Sequence, residues 1–441
     1  MSSTAVIGII VFLIMMALIF CGIPIFVSML TCSIIGFVWL MGGNTALMVS
    51  KLTTAPFDLA ADYNYAVLPM FMLVGALAGE TGIANGAFTS MKALLGRVKG
   101  GLLYVVVCAN AVFGACSGSS IAGNIVFGKL AMPELEAAGY DRKYSLGCIA
   151  ASGALSTLIP PSMAIIMTCL LAPDSLSVGT ALMCGIGPGI AVALGLCITV
   201  RIVGFIKPGT IPPGGGPKVP VIEKIKSLRL LIPIILLFGL IIGGTFLGWF
   251  TATVGGAIGA MAICIYALCL RMPLKKIGAC IWEACCMEAG IFVIIISGQL
   301  FGSFVSATHL ADALANLIAA VNAPAFVVFC LCLLLYIICG CVMDILSIII
   351  ITIPIIFPVL TGLGYSPYVL VITLCFVAEI AGLTPPIGMN VFATANALRT
   401  NPSEIFSGVV PYFICEIAIV LLIALFPNIA LAIPRLLGAA V

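Results

Sequence analysis

From Ala5 to Met41 the chain carries no charged side chain. That length accommodates two helices of the roughly 20 apolar residues needed to cross a bilayer, and Gly22-Ile23-Pro24 supplies a break between them. Similar runs recur to the C-terminal end. Only 7% of the 441 residues are charged and 63% are hydrophobic, whereas an ordinary globular chain is about 25% charged. The chain therefore reads as an all-α polytopic protein whose main partner is the lipid bilayer, with no surface suited to nucleic acid. No basic stretch precedes the first run, so it reads as a membrane segment and not as a cleaved leader. The nineteen cysteines are scattered through apolar segments beside a single histidine, His309. They read as small apolar fillers and not as a metal centre.

Spanning segments are expected near 5–22, 24–41, 66–90, 145–173 and 177–206, then near 230–250, 251–270, 281–305, 368–395 and 405–427. Two stretches fit no single span. Residues 101–131 are interrupted by GACSGSSIAGN and residues 326–360 by GCVMDILS, so each reads as a re-entrant hairpin of two half-length helices meeting at a polar tip. Lys207–Arg229, rich in Pro, Gly and Lys, reads as a cytoplasmic linker between a first half, 1–206, and a second, 230–441. Counting outward from that linker puts 16 of the 18 Lys and Arg residues on the cytoplasmic side, with only Lys51 and Arg435 outside. This is the bias that orients membrane proteins. It predicts that both termini are periplasmic.

The halves are related. A gapless shift of 225 residues lays Met132–Met167 on Phe357–Phe392, so that Gly139-Tyr140 meets Gly364-Tyr365 and Pro160-Pro161 meets Pro385-Pro386. The same shift superposes the two hairpins. Five spans per half is an odd number, so the second half runs opposite to the first. Such an inverted repeat, with discontinuous helices, is a hallmark of secondary transporters.

The Pro-Pro pairs carry the chemistry. Proline in a helix interior costs about 3 kcal/mol and leaves a carbonyl one turn earlier without its amide, which lipid cannot replace. Freed carbonyls and nearby hydroxyls are hard oxygen ligands for a dehydrated alkali cation. LIPPS (Leu158–Ser162) and LTPPI (Leu383–Ile387), with Gly388 and Asn390 just beyond, are the two candidate breaks. The hairpin tips add Ser117, Gly118, Ser119, Ser120 and Asn124 in one case, Gly340 and Asp344 in the other. Half-helix N-termini at these tips would favour an anionic group. Asp344 and Glu379 stand out as intramembrane acids, whereas Glu80, Glu283, Glu288 and Glu416 fall nearer helix ends and are expected at the interface.

LIPPSMAII, GLTPPIGMNVF, the SGSS segment and GCVMDILSIIIITIPIIFP together resemble the large membrane subunit of tripartite ATP-independent periplasmic (TRAP) transporters, over nearly the whole chain. The resemblance implies an elevator-type fold of the ion-transporter-superfamily kind. It also implies sodium-coupled uptake of an organic acid, such as a C4-dicarboxylate or sialic acid, across the bacterial inner membrane. Na⁺ is then the coupling ion and no other cofactor is needed. The implied partners are a separate small four-helix membrane subunit and a periplasmic substrate-binding protein. One implied sodium site involves Gly340, Ala381, Thr384 and Ile387; its symmetry mate involves Ala115, Ser119, Ser156, Ile159 and Ser162. The cargo would sit between the tips.

Two positions depart from the family pattern: Ala381 replaces the usual glycine, and Thr251-Ala252-Thr253-Val254-Gly255 stands where the family has TPTEA. A stand-alone ion-coupled anion transporter of related fold is the alternative reading. A channel fits paired inverted hairpins less well than alternating access does. An intramembrane serine hydrolase built on Ser117-Gly118-Ser119 would need a general base; His309 is predicted outside the membrane and no membrane lysine is available, so the chain reads as no enzyme.

Overall fold

The computed structural model describes residues 3–42, 46–173, 176–214 and 219–439, and these are helical throughout, without a strand. The chain opens with α1 (Ser3–Phe20), α2 (Ile25–Leu40), α3 (Ala46–Ala61), α4 (Val67–Glu80) and α5 (Ile83–Leu95). A hairpin of α6 (Gly101–Ser117) and α7 (Ser120–Ala137) follows, then a broken helix in three pieces: α8 (Arg142–Ser152), α9 (Leu155–Leu158) and α10 (Met163–Leu171). After α11 (Val178–Cys184) and α12 (Ile186–Ile206) come α13 (Val221–Leu228), α14 (Ile232–Phe238), α15 (Gly244–Phe246), α16 (Ala252–Cys269), α17 (Leu274–Thr308) and α18 (Leu310–Val321). The second hairpin is α19 (Ala325–Gly340) with α20 (Ile345–Gly362), and the second broken helix is α21 (Pro367–Ala381) with α22 (Met389–Leu398). α23 (Pro402–Leu425) and α24 (Asn428–Leu436) end the chain.

Helix bounds reproduce the repeat. α7 and α20 begin and end 225 residues apart, as do the starts of α8 and α21. Ser119 and its counterpart Asp344 both cap the second arm of their hairpin, Ser119 by accepting from the Ala122 amide and Asp344 from those of Leu346 and Ser347. A tight reversal between the arms of the first hairpin needs Gly118, whose φ of +57° a side chain would resist. The arms are held differently in the two copies. Phe113 and Phe127 meet edge to face at 5.6 Å in the first, and Tyr336 and Thr352 share a 2.6 Å hydrogen bond in the second.

Packing between the copies is crosswise. α6 lies against α8 and α9, and α19 against α21, each within its own copy. The second arms cross over: α7 packs on α22, and α20 on α10. Hairpins and broken helices thus form one interlocked body. Its core is closely covered; every residue from Val369 to Ala381 of α21 is buried. Burial separates this body from its surroundings, because 67% of α20 is buried against 22% of the apolar window of α17. α17 runs alongside α2, α4 and α20 as an outer wall. Its 35 residues make a rod of about 50 Å, longer than the roughly 30 Å hydrocarbon core.

Several expectations need correction. The segment 66–90 is not one straight helix: α4 and α5 meet at a 61° bend, where Gly82 adopts φ +77° and ends α4. The 230–250 segment is a composite helix from Val221 to Phe246, with a π turn at Gly239–Gly243. The linker also contains α13, docked on α5 by a 2.6 Å bond from the Ser90 hydroxyl to the Ser227 carbonyl; linker residues 215–218 lie outside the described residues. Glu416 and Glu288 are not interfacial, being 0% and 7% exposed. α23 lies along α8, which covers Glu416 although its sequence position suggests a helix end. Glu80 and Glu283 are exposed, as their positions suggest.

Candidate functional site

Each Pro-Pro pair interrupts its helix, and both bonds, Pro160-Pro161 and Pro385-Pro386, are cis. The first broken helix bends by 49°. The carbonyls ahead of the prolines are not bare. Gly382, Leu383 and Thr384 donate their amides to the carbonyls of Glu379, Ile380 and Ala381 at 2.9–3.1 Å, and the Asn390 amide reaches the Gly382 carbonyl at 3.1 Å. A tightened turn has recovered the bonds that proline removes. The Ala381 carbonyl accepts from the Thr384 hydroxyl as well; a carbonyl oxygen with a single partner keeps a second lone pair, which a cation can use.

The residues expected in the second ion pocket lie close together. Gly340 lies so close to Ala381 that an added Cβ would stand 3.0 Å from the Ala381 Cα and nearer still to its Cβ. The Ile387 amide donates to the Cys341 carbonyl at 3.2 Å, tying the break to the hairpin tip. Thr384 completes the cluster, its hydroxyl 2.6 Å from the Ala381 carbonyl and 3.5 Å from the Cys341 sulfur. Gly340, Ala381, Thr384 and Ile387 therefore converge.

The first pocket is its counterpart. A Cβ on Gly114, beside Ala115, would stand 2.7 Å from the Ser156 Cα, and one on Gly118 would stand 2.8 Å from the Pro161 carbonyl. Ser119 and Ser162 cap α7 and α10. Ile159 faces Gly189 of α12. Ser117 and Ser156 are buried with no hydrogen-bond partner for either hydroxyl among the described residues. Orphaned buried oxygens are rare and call for a ligand or water. Asn124 sits elsewhere: one turn into α7, it donates to the Ala150 carbonyl at 3.2 Å and locks the hairpin to α8. Asn110, which donates to Ser152 at 2.8 Å, belongs to the same inner network. Sequence reading passed it over, although an asparagine inside an apolar arm is itself a signal.

Between the tips lies a cavity of about 400 Å³. Ser117 to Ala122 line one side, Met343 to Leu346 another, with Gly382, Met389 and Asn390 from the second break and Glu283, Met287 and Ile291 from α17. Glu283 and Asp344 are the ionisable side chains among its lining residues, which include no Lys, Arg or His. The two tips differ electrostatically. Asp344 accepts from two amides at 3.1 and 3.2 Å and from the Ser347 hydroxyl, so its charge already occupies the positive end of α20. The serine-capped end of α7 carries no such charge.

The family of the tripartite ATP-independent periplasmic transporter, DctM component, matches residues 12–429. The chain belongs to that family. It is 28% identical over 406 residues to the C4-dicarboxylate TRAP transporter large permease protein DctM of Pseudomonas aeruginosa, covering 90% of this chain and 94% of that one. It is 27% identical to the ectoine TRAP transporter large permease protein TeaC of Halomonas elongata, with 95% and 96% covered. Among solved structures, the Alcanivorax borkumensis YdaH transporter shares the fold, with a TM-score of 0.58, 15% identity and 89% of each chain covered. This DctM-family chain is a multi-pass membrane permease subunit.

Proposed function

We propose that this chain is the translocating subunit of a sodium-coupled TRAP transporter that takes up an organic acid or similar small polar solute across the bacterial inner membrane. The observation that carries the reading is the meeting of both hairpin tips with both Pro-Pro breaks around one cavity. Na⁺ enters each clamp between tip and break, using lone pairs of Thr384, Ser156 and neighbouring oxygens, and the Ala381 carbonyl once the Thr384 hydroxyl turns from it toward the ion. An ion in each clamp draws the tip onto the break, which shapes the cavity for cargo. Binding of ion and cargo are then coupled, because each favours the same closed tip.

The interlocked body of α6–α10 and α19–α22 carries the site and slides as an elevator against a scaffold that includes α2, α4, α16 and α17. The Lys and Arg bias sets the linker in the cytoplasm and both termini in the periplasm. A periplasmic binding protein delivers cargo, and a small membrane subunit completes the scaffold. The cargo's anionic group faces the α7 tip, since Asp344 already fills the α20 tip.

The test is reconstitution in proteoliposomes with the small subunit, using radiolabelled succinate and ectoine as probes. Uptake should require an inward sodium gradient and the binding protein. Sodium-independent uptake would refute the coupling; sodium-driven uptake without the binding protein would favour a stand-alone transporter.

A further inference from the structure

Glu379 is 0% exposed within the apolar run of α21, flanked by buried Phe376, Val377 and Ile380. It forms no ion pair among the described residues. Its Oε1 accepts from Nδ2 of Asn390, the second residue of α22, which is 1% exposed. Oδ1 of Asn390 in turn accepts from the hydroxyl of Ser120, the first residue of α7, at 3.4 Å. Ser120 and Asn390 line the cavity; Glu379 stands behind them.

The two ends of an amide are alike in shape, so its neighbours decide which way it faces. An acceptor oxygen on Glu379 takes the NH₂ end. The carbonyl end must then face Ser120, and the Ser120 hydroxyl must donate. The Ser120 hydroxyl lies within hydrogen-bond reach of the Glu379 carboxyl as well; without Glu379 the amide is free to turn, and Ser120 could then accept from Asn390 but not donate to it. One buried carboxyl therefore sets the donor and acceptor pattern of two cavity-lining side chains. The chain of bonds also joins α7 of the first copy to α21 and α22 of the second at the cavity edge.

We propose that Glu379 is a positioning residue of the cargo cavity, fixing the Asn390 amide so that Ser120 and Asn390 hold the first hairpin tip to the second break. That this edge borders cargo rests on the transport reading above; the bond relay itself does not. Its test is therefore made without transport, so that a failure of either can be told apart. Hydrogen exchange read by mass spectrometry is measured on the full chain in lipid nanodiscs, as wild type, Glu379→Ala and Glu379→Gln. In Glu379→Ala, exchange in the peptide covering 117–124 should quicken on the order of tenfold, as expected when a hydrogen bond to a buried acid is lost. Glu379→Gln keeps an acceptor oxygen and should stay within about twofold of wild type. Asn390→Leu, similar in volume but unable to bond, should loosen 117–124 as Glu379→Ala does, and serves if the alanine variant does not fold. Quickening confined to 372–383 in Glu379→Ala, an unchanged 117–124 in Asn390→Leu, or equal behaviour of the Ala and Gln variants would overturn the proposal.

Discussion

Gly340→Ala tests the second ion clamp at its tightest point. A Cβ at Gly340 would stand 3.0 Å from the Ala381 Cα and carbonyl carbon, and closer to its Cβ. Ordinary carbon contacts are about 3.5–4.0 Å, so the tip must withdraw by roughly 1 Å. Overpacking of this kind costs about 1–3 kcal/mol. The cost falls on the closed clamp, since an open tip relieves the clash. If sodium binds only the closed clamp, the half-saturating sodium concentration for uptake should rise roughly 5- to 150-fold. Ala381 supplies an internal control, because Ala381→Gly removes the atom that clashes most. The 3.0 Å contacts to its backbone persist, so the double variant should recover part of the loss. The assay is a sodium titration of initial uptake rates in proteoliposomes at matched protein levels. An unchanged sodium requirement in Gly340→Ala, or no recovery in the double variant, would refute this account of the clamp.

Thr384→Ala removes the 2.6 Å bond to the Ala381 carbonyl. A bond of that kind is worth about 1 kcal/mol, so the sodium requirement should rise about fivefold; an unaltered titration would remove Thr384 from the site. Ser119→Ala removes the cap on α7, at about 0.5–2 kcal/mol, and should likewise weaken sodium-dependent uptake, as read by the same titration. Asp344→Asn disturbs a cap that holds two amides and a hydroxyl at the cavity, whereas Glu416→Gln changes a buried group away from the cavity lining. Uptake should fall further in the first than in the second; equal rates would contradict that ranking.

How much of this was legible follows from the range of the interactions. The Pro-Pro pairs and the polar tip segments act locally, so the breaks at 160–161 and 385–386 and the interruptions at GACSGSSIAGN and GCVMDILS could be read from sequence. The repeat added the hairpins, because one copy corroborates the other. The 61° bend at Gly82 was hidden, since a lone glycine in an apolar run also fits a straight span. Recovery of the carbonyl bonds ahead of Pro385 was hidden too, because proline's rule describes what a regular helix loses and not how a turn tightens. The burial of Glu416 and the crossing of α7 onto α22 depend on partners hundreds of residues away. Apolar periodicity carries no record of those partners. The sequence flagged Ser120, Asn390 and Glu379 separately, but only the crossing brings them into one relay.

The central claim is that the two Pro-Pro breaks, each closed by a hairpin tip, hold Na⁺. A pair of high-resolution cryo-EM maps of the reconstituted transporter, one prepared in sodium and one in potassium, tests it most directly. The account predicts a compact peak in sodium between Gly340, Ala381, Thr384 and Ile387, and another among Ala115, Ser119, Ser156, Ile159 and Ser162, both lost in potassium. Identical maps, with neither pocket holding a peak or with the same water in both salts, would contradict it.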